Sequence, residues 1–517
     1  MVEKLSYVPQ ETSLNSCRRL EREAPRVTVD VVRDAVSRQA LVRGAQRALQ
    51  PLACVSLAAI IFYEVSGGPF GVEGAVAAGG PLYAVLGFVL MPLIWSVPEA
   101  LISAELATMF PENSGFVAWT TAAFGPFWGF QEGLWSWLSG VSDNAVYPVL
   151  FLSYLGNIAP CFESGVWRWV FLVATVGGLA YLNYRGLAVV GRVSVILLAL
   201  TLAPFAVFIA AGLPHIRPRN WLRRPADFRG VQWGALLQNV FWNLNYWHNC
   251  SNLAGEVQNP RVSFPRGLAL AVVLVVGAYL LPLLVGLGVD AERDHWVDGY
   301  LQTLARRVGG EWLGYWVLVS AAMSNVGLFE AEMSSDSFQL QGMAERGMLP
   351  ARLAHKSVHG TPGVAIMFSC CGVLLQASKS FAEMLELVNV LYCLCMLLEF
   401  ASFLKLRAQN PDKERPYRVP LGKWGCALML LPATLFICIL ICLSSWWCLV
   451  AVGVIICAGP VLYWLINLGR RQGWWEFYPL AYTMPPSYSA IRWLGEFDVE
   501  DVSGMSYREL PSSPDDQ

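Results

Sequence analysis

The sequence is short of charge. Only 14% of its 517 residues are Asp, Glu, Lys or Arg, where a soluble domain carries about 25%. Hydrophobic residues make up 55% and the mean hydropathy is +0.46. So little charge cannot clothe a water-facing surface, and the chain reads as a polytopic membrane protein. It also lacks an excess of one sign: the net charge of −2 argues against a nucleic-acid partner. Residues 1–50 lack the short apolar run of a cleavable signal peptide. The 13 cysteines are scattered, mostly through apolar segments, with no Cys-x-x-Cys pair and no Cys/His cluster. Neither a disulfide framework nor a metal site is indicated. No nucleophile–base set appears, so an enzyme is not expected and no cofactor is implied.

What is present is a series of apolar segments. Windows of about 20 apolar residues predict an all-α membrane fold with spans near 50–77, 81–107, 115–146, 166–184, 187–212, 232–257, 263–289, 311–340, 362–377, 381–406, 423–444 and 446–468. The domain plan is a tail at 1–48, a twelve-helix membrane domain at 49–470 and a tail at 471–517 that ends SSPDDQ. Alternating the segments puts most Lys and Arg on the side of both termini, which is then cytoplasmic. The loop 213–231 is the exception, with Arg217, Arg219, Arg223, Arg224 and Arg229 on the outer side.

The first apolar segment is interrupted. Residues 62–71 read FYEVSGGPFG. Inside a bilayer, backbone may leave the helix only where it is buried in protein or lines a cavity. A carboxylate at that depth, Glu64, costs about 2.5–3.5 kcal/mol on insertion scales and marks a functional site by default. A second irregular segment reads QNVFWNLNYWHNCSNLAGEVQNPR, residues 238–261. Two interrupted helices, each the first of five, point to a substrate site at the bilayer midplane of a secondary transporter. The alternative for the second segment is an aromatic-rich packing helix.

Several motifs carry a resemblance. AELATMFPENSG (104–115), GEVQNPRVSFPR (255–266), MAERGMLPARLA (343–354) and RPYRVPLG (415–422) resemble the inner-loop motifs of the amino acid–polyamine–organocation superfamily. FYEVSGGPFGVEG, IWSVPEAL, WLSGVSDNAVYPVLF, NLNYW and AEMSSDSFQLQGMAERGMLP resemble its L-type-like branch of polyamine uptake transporters, found in plants and trypanosomatids. The match covers roughly residues 55–470. It implies twelve helices, a 5+5 inverted repeat with broken helices 1 and 6 plus two more, and proton-linked uptake of putrescine, spermidine and similar polyamines at the plasma membrane. The chain departs from the branch at His248, where Asp is expected after NLNYW, and at Glu330, where an apolar residue is expected.

The candidate substrate site follows. The register with the Gly-Ser-Gly-Ile-Phe break of related carriers implies that Glu64 faces substrate, as a carboxylate for an ammonium group; a structural salt bridge is the alternative. Gly67 and Gly68 allow the break. Amino acid carriers use free N–H groups there to hold a substrate carboxylate, and Pro69 removes one such donor, which suits a ligand bearing only cations. Asp143 and Tyr147, at i and i+4, share a face and can hold an ammonium by charge and cation–π contact; an Asp paired with a loop Arg is the alternative. Trp242, Asn243, Asn245 and Tyr246 offer aromatic walls and carbonyl oxygens for an alkyl chain with spaced cations. Glu332 is assigned to the far ammonium and Tyr392 to a wall, with core packing as its alternative.

Gating or coupling roles are assigned to Asp336, Glu105 and Glu256, the last two as partners of inner-loop Arg, and to His248, whose protonated ring beside the site would repel a cation; a silent position facing lipid or packing is the alternative for His248. The expected partners are a small cationic substrate, protons and the bilayer. A heavy-chain subunit, which L-type carriers bind through an outer cysteine, is not expected from the lone Cys161. Cationic or broad-range amino acid transport and a non-transporting nutrient sensor are the competing functions.

Overall fold

A computed structural model describes residues 52–156, 165–225, 227–377, 381–411 and 415–480. The N-terminal tail, Cys161 and residues 481–517 of the C-terminal tail lie outside the described residues. The described chain is all-helical, and eight of its helices are long and apolar enough to cross a bilayer.

The first interrupted segment is two helices, α1 (Cys54–Val65) and α2 (Val72–Met91), separated by the Gly-Gly-Pro stretch. Gly68 sits at φ +99°, backbone that only glycine adopts at little cost. Gly67 is the point of closest approach: a Cβ there would lie 2.2 Å from Ser324 Oγ. α2 bends again at Gly80–Pro81 and runs through a π-helical turn (Pro92–Ser96) into α3 (Val97–Met109). The expected third span begins later than 115: Gly125 at φ +94° followed by Pro126 splits off α4 (Gly115–Phe124), and the long helix is α5 (Pro126–Asn144), continued by α6 (Val146–Gly156). α7 (Gly165–Tyr184) and α8 (Leu187–Gly212) follow.

The second interrupted segment is α9 (Trp233–Trp242), a non-helical stretch, and a 3-10 turn over Asn249–Glu256. Tyr246 there takes φ +66°, which costs on the order of 1–3 kcal/mol outside glycine. Its surroundings hold it: the Tyr246 N–H donates to Tyr392 Oη at 2.9 Å, and its own hydroxyl lies 2.6 Å from Ser139 Oγ. Then come α10 (Pro260–Val289), α11 (Tyr300–Gly309), α12 (Glu311–Glu345), α13 (Gly363–Gln376), α14 (Phe381–Gln409), α15 (Lys423–Cys442) and α16 (Trp446–Arg471).

α1 packs on α10, α9 on α2, α8 on α12 and α14 on α5, so both breaks lie inside the bundle. Residues Ile60–Tyr63 and Leu244–Trp247 join the same buried core. α15 and α16 are peripheral. Their apolar windows are only 28% and 11% buried, against 72% for α14, and the outward faces suit lipid. Residues beyond α16 are packed at first: the Ala351 N–H donates to the Glu476 carbonyl at 2.8 Å.

The loop between α10 and α11 is braced by Asp290. Burial pushes its carboxyl up. Hydrogen bonds from the Tyr300 hydroxyl (2.6 Å), the Glu292 N–H (2.9 Å), His295 (2.9 Å) and Arg307 (2.8 Å) outweigh that and hold it well below the usual carboxylate range. The same loop carries Asp298. The arginine-rich 213–231 loop packs nearby, with Arg217 N–H on the Gly288 carbonyl at 2.9 Å and Arg223 3.4 Å from Glu292.

Candidate functional site

The two breaks enclose a cavity of about 180 Å³. Four carboxylates line it, Glu64, Glu73, Asp143 and Asp298, and among the described residues no Lys, Arg or His does. Asp298 is exposed and marks the mouth.

Glu64 ends its side chain at the floor. It is 2% exposed, and apart from the Asn249 and Ser335 side chains that act on its carboxylate, no cation among the described residues partners its charge. A buried charge without a partner is costly, so the residue is built for something that arrives. Asp143 is held from two sides: its Oδ1 accepts from Trp242 Nε1 at 2.9 Å and its Oδ2 from Tyr147 Oη at 2.8 Å. The same Tyr147 oxygen lies 2.8 Å from Glu332 Oε1. A hydroxyl has one proton to donate. Tyr147 can therefore donate to only one of these two carboxyl groups at a time.

The amide end of α2 is already occupied. Pro69 has no N–H, and the Gly71 N–H donates to Glu73 Oε2 at 3.1 Å. The chain's own carboxylate thus sits where a substrate carboxylate would bind a helix N-terminus. The rest of the wall combines aromatic and apolar residues, among them Phe70, Trp242, Tyr246, Tyr279 and Leu328, with Asn239, Asn243, Asn245, Ser324 and Asn325.

The other end of the bundle is shut. α10 is a 30-residue helix, about 45 Å long, and Glu256 stands at the end opposite Asp290. There the Leu52 N–H donates to the Glu256 carbonyl at 3.1 Å, and Leu52 pairs with Val257 in a one-rung parallel bridge. Asn113 joins them, donating to Glu256 Oε1 at 2.9 Å and accepting from the Gly255 N–H at 2.9 Å. Lys356 closes on the same Glu256. Beside them Arg346, fully buried, contacts Glu112 at 2.6 Å and Ser114 Oγ at 3.0 Å. Glu105 receives Arg407 at 2.5 Å, Arg415 at 3.0 Å and the Val419 N–H at 2.8 Å.

Of the residues expected to bind substrate, Glu64, Gly67, Asp143, Tyr147, Trp242, Asn243, Asn245 and Tyr246 line the cavity. Gly68, Glu332 and Tyr392 do not. Glu332 stands one hydrogen bond behind, through Tyr147, and Tyr392 backs Tyr246, ring centroids 4.7 Å apart. Asp336 turns toward Gly140, where a Cβ would meet its carboxylate at 2.2 Å. His248 also stays off the cavity. Its ring is 3.4 Å from Glu99 and 3.5 Å from Glu399, stacked on Tyr392 and edge-on to Phe116. Glu330 accepts from Asn183 Nδ2 at 2.7 Å, away from the cavity. Sequence reasoning missed Glu73, Asp298, Asn239, Tyr279, Ser324 and Asn325 on the cavity wall. The one available signal was an acid in the first turn of the outer half-helix.

A family model described as amino acid permease matches residues 52–469. The chain is 50% identical over 431 residues to a probable polyamine transporter of Arabidopsis thaliana, covering 83% of this chain and 90% of that one. A second probable polyamine transporter of that plant is 48% identical over 430 residues, covering 83% and 86%. Polyamine transporter PUT1 of Oryza sativa subsp. japonica is 50% identical over 424 residues, covering 82% and 80%.

Proposed function

The chain belongs to the amino acid permease family, and from that premise we propose that it imports polyamines across the plasma membrane by alternating access, driven by protons. The observation that carries the substrate class is the cavity wall: four carboxylates, no basic side chain among the described residues, and a helix amide already taken by Glu73. Such a wall attracts ammonium groups and offers a carboxylate no cation. The names of the relatives agree with it.

Each broken segment counts as one crossing; α2 beyond its Pro81 bend with α3, α5 with α6, and α7, α8, α10, α12, α13, α14, α15 and α16 supply ten more, which gives twelve. The breaks then fall in the first members of two five-helix halves, the inverted-repeat arrangement. With both termini cytoplasmic, the Glu112–Arg346 side faces the cytoplasm and the mouth at Asp298 faces out. An interior-negative potential favours entry of a dication by about 4.6 kcal/mol per 100 mV.

The proton is assigned to Glu332. It lies off the cavity wall and can be neutral while Glu64 and Asp143 stay charged for substrate. With the proton on Glu332, its carboxyl donates a hydrogen bond to the Tyr147 hydroxyl, and Tyr147 donates its own to the Asp143 carboxylate, which keeps its charge.

Competition decides the substrate. Ornithine is putrescine plus a carboxylate. Labelled uptake in a transport-deficient cell should be inhibited by putrescine at concentrations at least about tenfold below those of ornithine, a difference of 1.4 kcal/mol. Equal inhibition points to amino acid transport instead, and absence of any flux in protein that reaches the membrane points to a sensor.

A further inference from the structure

The acids of the cavity fall into two pairs. Glu64 and Asp143 lie close enough to act on each other by charge, and Glu73 pairs in the same way with the exposed Asp298 at the mouth. A lone acid in the first turn of a helix is ordinary capping, and Glu73 does cap: its Oε2 takes the Gly71 N–H. Its other oxygen is different. The side chain is 2% exposed and lines the cavity; Oε1 makes no close hydrogen bond, and only the backbone N–H groups of Glu73 itself and Leu301 act on the carboxylate besides Gly71, with no basic side chain to balance its charge. Asp298 lies close enough to act on Glu73 by charge. Of the cations on the neighbouring loops, Arg293 is spent on the Ala77 and Gly230 carbonyls, Arg307 on Asp290 and Arg223 on Glu292, and none of them lines the cavity. A buried carboxylate oxygen facing a second acid across a cavity with no base on its wall is completed by a cation from outside.

We infer that Glu73 and Asp298 form a second, outer cation subsite, which takes a further ammonium group of tri- and tetraamines whose inner end sits at Glu64 and Asp143. Aromatic residues of the same wall fit the ligand: Phe70, Trp242 and Tyr279 can cover the methylene chain. A diamine held at Glu64 and Asp143 fills only that pair. The inference rests on the polyamine reading and adds to it a preference set by chain length.

The test is uptake of putrescine, spermidine and spermine by wild type, Glu73→Gln and Asp298→Asn. Glutamine can still accept the Gly71 N–H, so the cap survives while the charge goes. Asp298 is exposed in a loop, so its variant carries the test should Glu73→Gln fail to reach the membrane. The apparent affinity for spermine should fall relative to that for putrescine by about tenfold in Glu73→Gln and by about threefold in Asp298→Asn. Equal losses for all three amines overturn the subsite, since general attraction of cations to the mouth predicts them. An unshifted ratio of spermine to putrescine also overturns it, and leaves the polyamine reading intact. Wild-type protein that takes up none of the three overturns the polyamine reading and the subsite with it.

Discussion

Glu64 and Glu332 are both buried acids near one cavity, yet their surroundings ask different things of them. Glu64 lines the wall with no cation among the described residues to partner its charge, while Glu332 shares Tyr147 with Asp143 from behind. Glu64→Gln removes the direct partner of a desolvated ammonium, a loss of about 3–5 kcal/mol, or at least about a hundredfold in apparent affinity. Glu332→Gln imitates the protonated carboxyl. It should keep substrate binding and downhill exchange while uptake stops responding to an imposed proton gradient. Binding and gradient-driven uptake in proteoliposomes separate the two, and loss of binding in both variants would remove the division of labour. His248 is a different case, because it lies between Glu99 and Glu399 rather than on the wall. His248→Asp would set a third carboxylate among two and destabilise the protein by about 3–5 kcal/mol. Adding Glu399→Gln should recover part of that loss. Thermal stability of the detergent-solubilised single and double variants measures the coupling, and additive losses would show that the ring and Glu399 do not depend on each other.

At the scale of the elements, the breaks are held by contacts that sequence spacing does not report. Ser324 Oγ, on α12, donates to the Gly67 carbonyl, and the glycine lets the two helices meet. Gly67→Ala puts a methyl group against Ser324 and Leu328, an overpacking cost of about 1–3 kcal/mol. The expected result is less folded protein at the membrane with weaker uptake; normal levels and uptake would mean that the approach is not needed. The breaks themselves were legible, since Gly-Gly-Pro and a lone carboxylate stand out in an apolar run. So was the charge of the wall, through Glu64 and Asp143. Facing was harder. An i, i+4 spacing shows that Glu332 and Asp336 share a side of α12, but not that Glu332 meets Tyr147 while Asp336 meets Gly140. Tyr392 looked like a wall and is a support, because α14 stands behind the second break and not beside the cavity. Glu73 was passed over because an acid at a helix start has an ordinary explanation, and only its second oxygen, without a close hydrogen bond, distinguishes it. The helix split at Gly125–Pro126 was hidden by apolar residues on both sides.

For the whole molecule, the cavity has a mouth at Asp298, and the opposite end is latched by Leu52, Asn113, Glu256, Lys356 and the Arg346–Glu112 pair. Passage through the protein requires that latch to open. Cysteines at positions 52 and 257 would be placed across the bridge, within the Cα spacing of about 4.4–6.8 Å that a disulfide accepts. In a Cys54→Ser background, oxidation of Leu52→Cys/Val257→Cys should abolish uptake and a reductant should restore it. Uptake that survives complete cross-linking would mean that the exit lies elsewhere. The position of Leu52 has a mechanical side as well. The backbone that stitches the latch is the point where the first helix meets everything ahead of it in the chain. Leu52 stands only two residues ahead of α1, so any tilt of that helix strains the single rung directly, and stitch and helix move together or not at all.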